Sequence, residues 1–292
     1  MSRRGWLLFA AMSVLWGIPY LLIKVAVDEL SPPTLVFLRC ALGALVLLPY
    51  ALARGHLGPL RGSLAPLVGF TLLELTIPWL LLADAERRLS SSVTGLLVAA
   101  VPLVAAVVSR LAGEQDRLDP ARLFGLLVGL GGVGVLLGLD LRGDIGAAVE
   151  VGIVVLGYGT APVLASRRLS HVSGIGVTAA ALTLTSLVYL PFAAVNLPAH
   201  VPSTTVLLSV AVLALACTVV AFLVFFALIR EVGPNRALVI TFVNPAVAVA
   251  LGVALLHEPF TLGTAIGFPL ILGGCLLATR RSMTRTPAVA EP

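Results

Sequence analysis

Long apolar runs follow one another along almost the whole of this chain, with only short polar connections between them. The run at 35–53, LVFLRCALGALVLLPYALA, is typical and contains one charged residue, Arg39. Of the 292 residues, 59% are apolar and 11% are charged, which is more apolar surface than a soluble domain of this size buries. The pattern excludes a water-soluble enzyme and indicates a protein embedded in a membrane.

Apolar windows bounded by charged residues, proline and glycine predict ten membrane-spanning helices. The windows are long enough to cross the hydrocarbon as helices, and they lack the period-two alternation of β-barrel strands. The predicted fold class is an all-α membrane protein. The predicted helices span residues 6–27, 34–52, 65–83, 92–110, 122–139, 146–165, 174–195, 204–229, 236–256 and 262–279.

The distribution of arginine predicts the orientation of the bundle, because short cytoplasmic connections are enriched in basic residues. With the amino terminus in the cytoplasm, fourteen arginines fall on the cytoplasmic side and three on the other. We therefore expect a plasma (inner) membrane protein with both termini in the cytoplasm and a disordered tail at 281–292. The fourteen are Arg3, Arg4, Arg54, Arg61, Arg110, Arg117, Arg122, Arg167, Arg168, Arg230, Arg236, Arg280, Arg281 and Arg285, and the three are Arg87, Arg88 and Arg142.

Short motifs recur in the two halves of the chain at an offset near 143 residues. Trp16-Gly17 matches Tyr158-Gly159 at 142, and two pairs of prolines match at 143. The halves 1–140 and 145–280 therefore each hold five helices. Since five is odd, the second copy enters the membrane from the opposite side, and such inverted repeats are typical of alternating-access transporters.

The matched prolines are Pro19 with Pro162 and Pro102 with Pro245. A proline inside a helix frees a carbonyl group that lipid cannot satisfy, so kinks belong against protein or a wet cavity. We expect helix kinks at these four positions. Proline that merely shapes helix packing is the alternative explanation.

The order of the motifs resembles the ten-span EamA-type transporters of the drug/metabolite transporter superfamily, over residues 6–279. The resemblance implies two five-helix repeats and transport, often export, of small metabolites such as amino acids or of toxic organic compounds. Gln115-Asp116 lengthens the first Gly-Glu motif, and His257 stands where glycine or leucine is common. The motifs are Trp16-Gly17, Lys24, Leu30-Ser31-Pro32, Leu38-Arg39, Pro102, Gly113-Glu114 and Gly125-Leu126-Leu127 in the first half, and Tyr158-Gly159, 227–233, Asn244-Pro245, His257-Glu258 and 267–274 in the second.

Glu74 is the most informative of four ionisable residues inside predicted spans. It lies near the middle of the third span, in TLLELTIPW, with no basic residue four positions away. A charge in hydrocarbon costs about 2.5 kcal/mol or more, so a buried carboxyl at this position suits proton exchange or contact with a cationic solute. A neutral, hydrogen-bonded structural carboxyl is the alternative.

The other three ionisable residues are Lys24, Arg39 and Glu150. Lys24 precedes Asp28 by four positions, so the two predict either a local ion pair or a cavity role for Lys24. Arg39 is a candidate partner for Glu74, for Asp28 or for an anionic group of the solute. Glu150 lies near the outer face, either reaching water or lining a vestibule.

Three aromatic residues beside glycine or proline, Trp16, Trp79 and Tyr158, are candidates for lining a solute pocket. Core packing and the interfacial aromatic belt are the alternatives. Asn244 precedes Pro245 and offers a polar amide, for a solute or for a hydrogen bond between helices.

Glu114 and Glu258 recur at an offset of 144, and we expect each to cap the helix that follows it. The patterns Gly125-xxx-Gly129 and Gly263-xxx-Gly267 predict close helix contacts, within one molecule or in a homodimer. Cys40, Cys217 and Cys275 lie in apolar runs, which predicts packing rather than a disulfide or a metal site.

The sequence favours a secondary transporter that moves a small solute by alternating access, with export and proton coupling as the expected version. No GxxxxGK[ST] phosphate loop is present, so we expect no cofactor, and the dispersed arginines exclude a nucleic-acid-binding face. The expected partners are a small solute, membrane lipid and protons. A lipid or lipid-linked head-group flippase is the alternative within transport. An intramembrane enzyme is an alternative of another class, but no HExxH or GxSxG motif supports it.

Overall fold

The computed structural model describes residues 2–111, 120–140, 144–232 and 240–278. Within these ranges we group the α-helical and π-helical elements into ten segments, α1 to α10; there is also a short 3-10 helix, Gly58–Gly62, and no β-strand. Their bounds are Arg3–Ala26 (α1), Pro32–Ala53 (α2), Leu64–Ala85 (α3), Ser91–Leu111 (α4), Pro120–Asp140 (α5), Ile145–Arg168 (α6), Gly174–Val195 (α7), Thr204–Val232 (α8), Ile240–Leu255 (α9) and Leu262–Ala278 (α10).

The helices fall where the apolar windows predict them, with boundaries that differ by a few residues. In the described part of the chain, seven helices are long and apolar enough to cross a membrane, namely α1 to α4 and α6 to α8. The remaining three contain shorter apolar stretches, at Leu123–Leu136, Ile240–Leu255 and Leu262–Leu277. The all-α membrane fold class is confirmed. Glu114 and the predicted tail at 281–292 lie outside the described residues.

Side chains at the helix starts supply the hydrogen bonds that the first turns lack. The hydroxyl of Ser90 accepts from Val93 N at the start of α4, and Ser173 accepts from Gly176 N at the start of α7. The carboxylate of Asp144 does the same for Ala147 N at the start of α6. These caps fix where the polar connections end and the apolar helices begin.

Only two of the four matched prolines coincide with a break in a helix. α1 consists of Arg3–Gly17 and Pro19–Ala26, and α4 consists of Ser91–Val98 and Val101–Leu111 with Pro102 in its second part. α6 is continuous through Pro162, and α9 is continuous through Pro245. The matched prolines therefore occupy equivalent positions in the two halves, but only the prolines of the first half lie at a break in a helix.

Two helices contain a π-helical turn that the prolines did not predict. The turn in α3 is Leu72–Thr76 and the turn in α8 is Leu215–Val220. Their first residues are 143 positions apart, which is the repeat offset of the sequence. A π-helical turn leaves backbone groups available and recurs at functional sites.

The helices pack in pairs, and α5 and α10 form the most extensive of these contacts. A Cβ on Gly132 would come within 2.7 Å of Ile271 N, and a Cβ on Gly267 would come within 3.0 Å of Gly132 O. A Cβ on Gly274 would overlap the backbone of Gly129. Glycine therefore allows the two backbones to approach, as the small-residue patterns predict. The other extensive pairs are α2–α7, α3–α6, α4–α6, α4–α9, α1–α9 and α1–α8.

Candidate functional site

Arg39 lies in the interior of the bundle, between α2, α3 and α8. Arg39 is 7% exposed, and its guanidinium carbon lies 3.6 Å from the ring centroid of Trp79. Nε donates a hydrogen bond of 3.1 Å to the hydroxyl of Thr218, in the π-turn of α8. Among the described residues no carboxylate oxygen lies within 4.0 Å of the guanidinium. The structure therefore does not pair Arg39 with Glu74 or Asp28.

Glu74 lies within the π-turn of α3, close to Tyr158 of α6. Its Oε2 atom is shielded from solvent and has no hydrogen-bond partner in the described part of the chain. A buried polar atom without a partner costs free energy, so this carboxyl is either neutral or meets a group that the protein itself does not provide. Both alternatives are compatible with the sequence-based hypothesis of proton exchange or contact with a cationic solute.

The three candidate aromatic residues contact other side chains of the bundle. Trp16 is half-buried, and its ring lies 5.9 Å from Phe222 and 4.8 Å from Phe225, measured between centroids. Tyr158 is half-buried and packs against the apolar cluster that contains Trp79. Trp16, Trp79 and Tyr158 therefore face protein rather than an interfacial belt.

Asn244 forms a hydrogen bond between helices. With its amide nitrogen facing carbonyl groups, Nδ2 donates to Ser13 O of α1 at 3.2 Å and to Ile240 O at 2.9 Å. This arrangement matches the structural alternative given above for the amide, which joins α9 to α1.

A second group of polar contacts lies where α3 ends and α4 begins, which we call the α3–α4 end. The predicted ion pair between Lys24 and Asp28 is absent there. Lys24 Nζ instead donates to two backbone carbonyls of the α3–α4 connection, Glu86 O at 2.6 Å and Leu89 O at 2.9 Å. Carbonyls at the carboxyl end of a helix carry partial negative charge, so they attract the ammonium group more than exposed Asp28 does.

Glu258 caps a helix, but not the helix that follows it in the chain. Its Oε1 accepts from Ser91 N at 2.7 Å, and its Oε2 accepts from Ser92 N at 2.9 Å and from Ser92 Oγ. These donors belong to the first turn of α4, so the prediction that Glu258 caps α10 is wrong. The amides at a helix start favour a negative charge from any neighbouring segment, and sequence spacing does not reveal which segment is near.

The close fit of Glu258 depends on Gly252 in α9. A Cβ on Gly252 would overlap Oε2 of Glu258 and the hydroxyl of Ser92, and would lie 2.8 Å from the hydroxyl of Ser91. Only a residue without a side chain leaves room for the three oxygen atoms. Gly252 is therefore part of the cap.

Glu86 is a buried carboxyl that the apolar windows missed. It follows the last residue of α3 and is 0% exposed, and neither of its carboxyl oxygens has a hydrogen-bond partner among the described residues. Burial raises the pKa of Glu86 well above its usual value, and the charge of Lys24 opposes this shift. The sequence signal was weak, since Glu86 lies three residues beyond the apolar window and follows another acid, Asp84.

Glu150 forms an ion pair with Arg88 rather than only reaching water. Arg88 also pairs with Asp84 at 2.9 Å and with Asp144 at 3.2 Å. The bond to Glu150 raises the pKa of the Arg88 guanidinium. These side chains are partly exposed, so the cluster joins α3 to α6 at the surface and contributes modestly to stability.

Two further contacts at this end join the first half of the chain to the second. Glu29 accepts a hydrogen bond of 2.6 Å from Ser203 N at the start of α8, and hydrogen bonding to the Ser203 side chain and then to this N–H lowers the pKa of Glu29. The hydroxyl of Thr34 donates to Asn196 O at 3.0 Å. In the described ranges, no group of three or more histidine, cysteine or acidic residues is arranged to hold a metal ion. The three cysteines are buried, and Cys275 donates to Ala99 O at 3.2 Å.

Comparison with known proteins gives matches over nearly the whole chain. The model of the EamA-like transporter family matches residues 3–138 and again 148–280. A protein of Escherichia coli K12, named uncharacterized inner membrane transporter YedA, is 30% identical over 276 residues, which cover 92% of this chain and 88% of that protein. The uncharacterized transporter YvbV of Bacillus subtilis 168 is 27% identical over 300 residues, covering 99% and 96% of the two chains.

A solved structure titled "Crystal structure of protein" has the same fold. The TM-score is 0.68 at 23% identity, and the match covers 96% of this chain and 97% of that one. The buried polar groups described above thus lie within a fold that also occurs in a solved structure. With the two matches of the family model, which together span most of the sequence, these findings identify the chain as a membrane transporter that belongs to the EamA-like transporter family.

Proposed function

We propose that the protein is a secondary transporter that moves a small metabolite or drug-like solute by alternating access, and that Glu74 exchanges a proton during the cycle. Export from the cytoplasm is the proposed direction. The observation that carries the proposal is a set of contacts that recur in the two halves of the chain at the repeat offset. Two equivalent halves give a transporter two related conformations, each open to one side.

The clearest recurrence joins a glycine to a valine. A Cβ on Gly17 in α1 would come within 2.5 Å of Val247 in α9, and a Cβ on Gly159 in α6 would come within 2.6 Å of Val104 in α4. The glycines are 142 positions apart and the valines 143. The contact between α1 and α9 is therefore repeated between α6 and α4.

The aromatic pairs follow the same rule. Trp16 contacts Phe222 in the α1–α8 pair, and Tyr158 packs near Trp79 in the α6–α3 pair. Phe222 and Trp79 are 143 positions apart. Together with the two π-turns and the two matches of the family model, these contacts support two five-helix repeats, at 1–140 and 145–280, of opposite orientation.

The described basic residues support an orientation with the α3–α4 end outside the cell. Arg87 and Arg88 lie at that end with Lys24, whereas Arg3, Arg4, Arg54, Arg61, Arg110, Arg167, Arg168 and Arg230 lie at the opposite end. Basic connections remain in the cytoplasm. In this orientation, Glu258 and Glu29 hold the outer end closed by hydrogen bonds between the halves, and Lys24 joins α1 to the α3–α4 connection within the first half.

Proton exchange is assigned to Glu74 because its carboxyl has the surroundings that such a step requires. The carboxyl lies in the interior, at a π-turn, with Oε2 unpartnered among the described residues and with Tyr158 nearby. A buried acid within a span is a functional candidate by default. Its neutral form suits the interior, and its charged form suits a state in which water or a solute cation reaches it.

The test uses everted membrane vesicles that contain the protein and are acidified inside by respiration. Amino acids, nucleosides and organic cations are added one at a time, and proton efflux is followed by recovery of acridine orange fluorescence. We expect at least one class of compound to release protons from vesicles with the unchanged protein. Glu74→Gln should abolish that release, because an amide does not exchange a proton at this position.

Glu150→Gln is the matched control, since Glu150 is a paired acid near the surface, and it should retain proton release. Equal release by Glu74→Gln and the unchanged protein would remove Glu74 from the cycle. Movement of a labelled lipid between the leaflets of proteoliposomes, without movement of any soluble compound, would favour a lipid flippase instead.

A further inference from the structure

Arg39 is a cation in the interior of the bundle that has no anionic partner among the described residues. Its environment consists of the ring of Trp79, the hydroxyl of Thr218 and the neutral side chains of Cys40, Cys217 and Tyr158. The charge of Arg39 interacts with the buried acid Glu86, but the two side chains do not form an ion pair. An unpaired charge within a span costs about 2.5 kcal/mol or more, so the protein retains Arg39 at a cost.

The contacts of Arg39 occupy one face and one nitrogen of the guanidinium. The ring of Trp79 covers the face, which is a favourable arrangement for a cation on an aromatic ring. Thr218 accepts from Nε, and its own hydroxyl proton goes to Leu213 O at 2.8 Å. This second bond directs an oxygen lone pair of Thr218 toward Nε. The π-turn of α8 thus fixes the guanidinium in one orientation.

The contacts leave the two terminal nitrogens of Arg39 without a hydrogen-bond acceptor in the described part of the chain. Their parallel N–H groups match the two oxygens of a carboxylate, which binds guanidinium in a bidentate manner. A single guanidinium neutralises one negative charge. A phosphate dianion would retain a charge, and Lys24, another partly buried cation of this half, is already bonded to two carbonyls.

We propose that Arg39 binds the carboxylate of the transported solute and that the protein is selective for monoanionic carboxylic acids. This inference rests on the proposed transport function and names its substrate class. Trp79 and Thr218 are positioning residues, because they orient the guanidinium and the guanidinium in turn binds the solute. The sequence left Arg39 with three candidate partners, and the structure removes the two acidic side chains.

Tryptophan fluorescence tests the inference directly, since Trp79 lies against the guanidinium. The chain has three tryptophans, so the double variant Trp6→Phe, Trp16→Phe leaves Trp79 as the sole reporter. Purified protein in nanodiscs is titrated with sodium butyrate, with butyramide and with n-butylammonium chloride at constant ionic strength. We expect a saturable change with butyrate and no saturable change with the other two probes.

Arg39 variants in the same background connect the signal to the guanidinium. Arg39→Lys retains the charge but loses the bidentate edge, and we expect at least about tenfold weaker butyrate binding. Arg39→Gln should remove binding. Arg88→Gln, which changes a partly exposed arginine at the α3–α4 end, should leave binding unchanged. Should Arg39→Gln fail to fold, the Arg39→Lys titration decides the question.

Equal responses to butyrate and butyramide, or unchanged butyrate binding in Arg39→Lys, would overturn the inference. The vesicle assay separates this failure from failure of the proposed function. Proton-coupled transport of a cation or a neutral solute, without butyrate binding, would leave the function standing and refute the substrate class. Butyrate binding that requires Arg39, without proton-coupled movement of any compound, would support the site and refute the coupling.

Discussion

The two π-turns, Leu72–Thr76 in α3 and Leu215–Val220 in α8, have the same place in the two halves of the chain and different chemistry. In α8 the turn presents Thr218, whose hydroxyl has both a donor and an acceptor partner. In α3 the turn presents Glu74, whose Oε2 is buried without a partner. A repeated backbone feature therefore holds a cation in one half and an acid in the other.

Each of the two turns contacts a helix of the other half of the chain. The turn in α8 contacts α2 through Arg39, and the turn in α3 contacts α7 through the hydroxyls of Thr76 and Thr185, which are 3.0 Å apart. The hydroxyl of Tyr189 in α7 also donates to Thr76 O at 2.8 Å. The comparison teaches that duplication supplies the scaffold, while single side chains on it decide what each half binds.

The largest effect should come from placing an acid in the turn of α8. Cys217 is 143 positions from Glu74 and lies close enough to Arg39 to interact with its charge. In Cys217→Glu the new carboxylate should pair with the guanidinium and compete with any external anion. We expect at least about a tenfold loss of butyrate binding in the Trp79 titration. Cys217→Gln, which has similar size without the charge, should retain most of the affinity, and equal losses in both variants would argue for a steric cause.

The next effect concerns the hydroxyl that orients the guanidinium. Thr218→Val removes the acceptor of Arg39 Nε and leaves a buried charged donor unsatisfied, which costs about 1.5–3 kcal/mol. Thermal unfolding of the purified protein should shift to lower temperature accordingly. Thr218→Ser retains the hydroxyl and serves as the control. Unchanged stability of Thr218→Val would show that another group satisfies Nε.

Gly157 in α6 tests how tightly the turn of α3 is held. A Cβ at this position would overlap Leu73 O within the turn, and a backbone oxygen has little freedom to move away. Gly157→Ala should therefore destabilise the protein by about 1–3 kcal/mol through overpacking. Gly152→Ala on the same helix has nothing within 4 Å and should be neutral or slightly stabilising. Equal stability of the two variants would show that the turn is not packed as described.

The smallest effect should come from Thr185→Val, which removes one neutral hydrogen bond to Thr76. The expected loss is about 0.5–1.5 kcal/mol, below that of Thr218→Val, because neither partner is charged. Thermal unfolding of the two variants side by side measures the difference. A loss for Thr185→Val as large as that for Thr218→Val would contradict the distinction between the two turns.

The helices were predictable from the sequence because apolar length alone determines whether a segment can cross hydrocarbon. The window at 146–165 corresponds to Ile145–Arg168, and the window at 174–195 matches Gly174–Val195. The π-turns were not predictable in this way. They depend on contacts with neighbouring helices, which apolar periodicity does not record.

The sequence predicted which charged residues are buried more successfully than it predicted the groups that they contact. Arg39 and Glu74 were selected as buried charges, and both lie in the interior. Lys24 and Glu258 were assigned neighbours along the chain, whereas both bind helix ends that are distant in sequence. Helix-end groups attract charge from any segment that lies near, so partner identity requires the three-dimensional arrangement.

The α3–α4 connection changes from full burial to open solvent within one peptide unit. Glu86 is 0% exposed, whereas the side chain of the next residue, Arg87, is 56% exposed. A water-soluble dye attached at position 87 would therefore lie beside a carboxyl that water does not reach in this conformation. Its spectrum would report the wetting of that carboxyl in real time, at the loss of one exposed ion pair, that of Arg87 with Asp84.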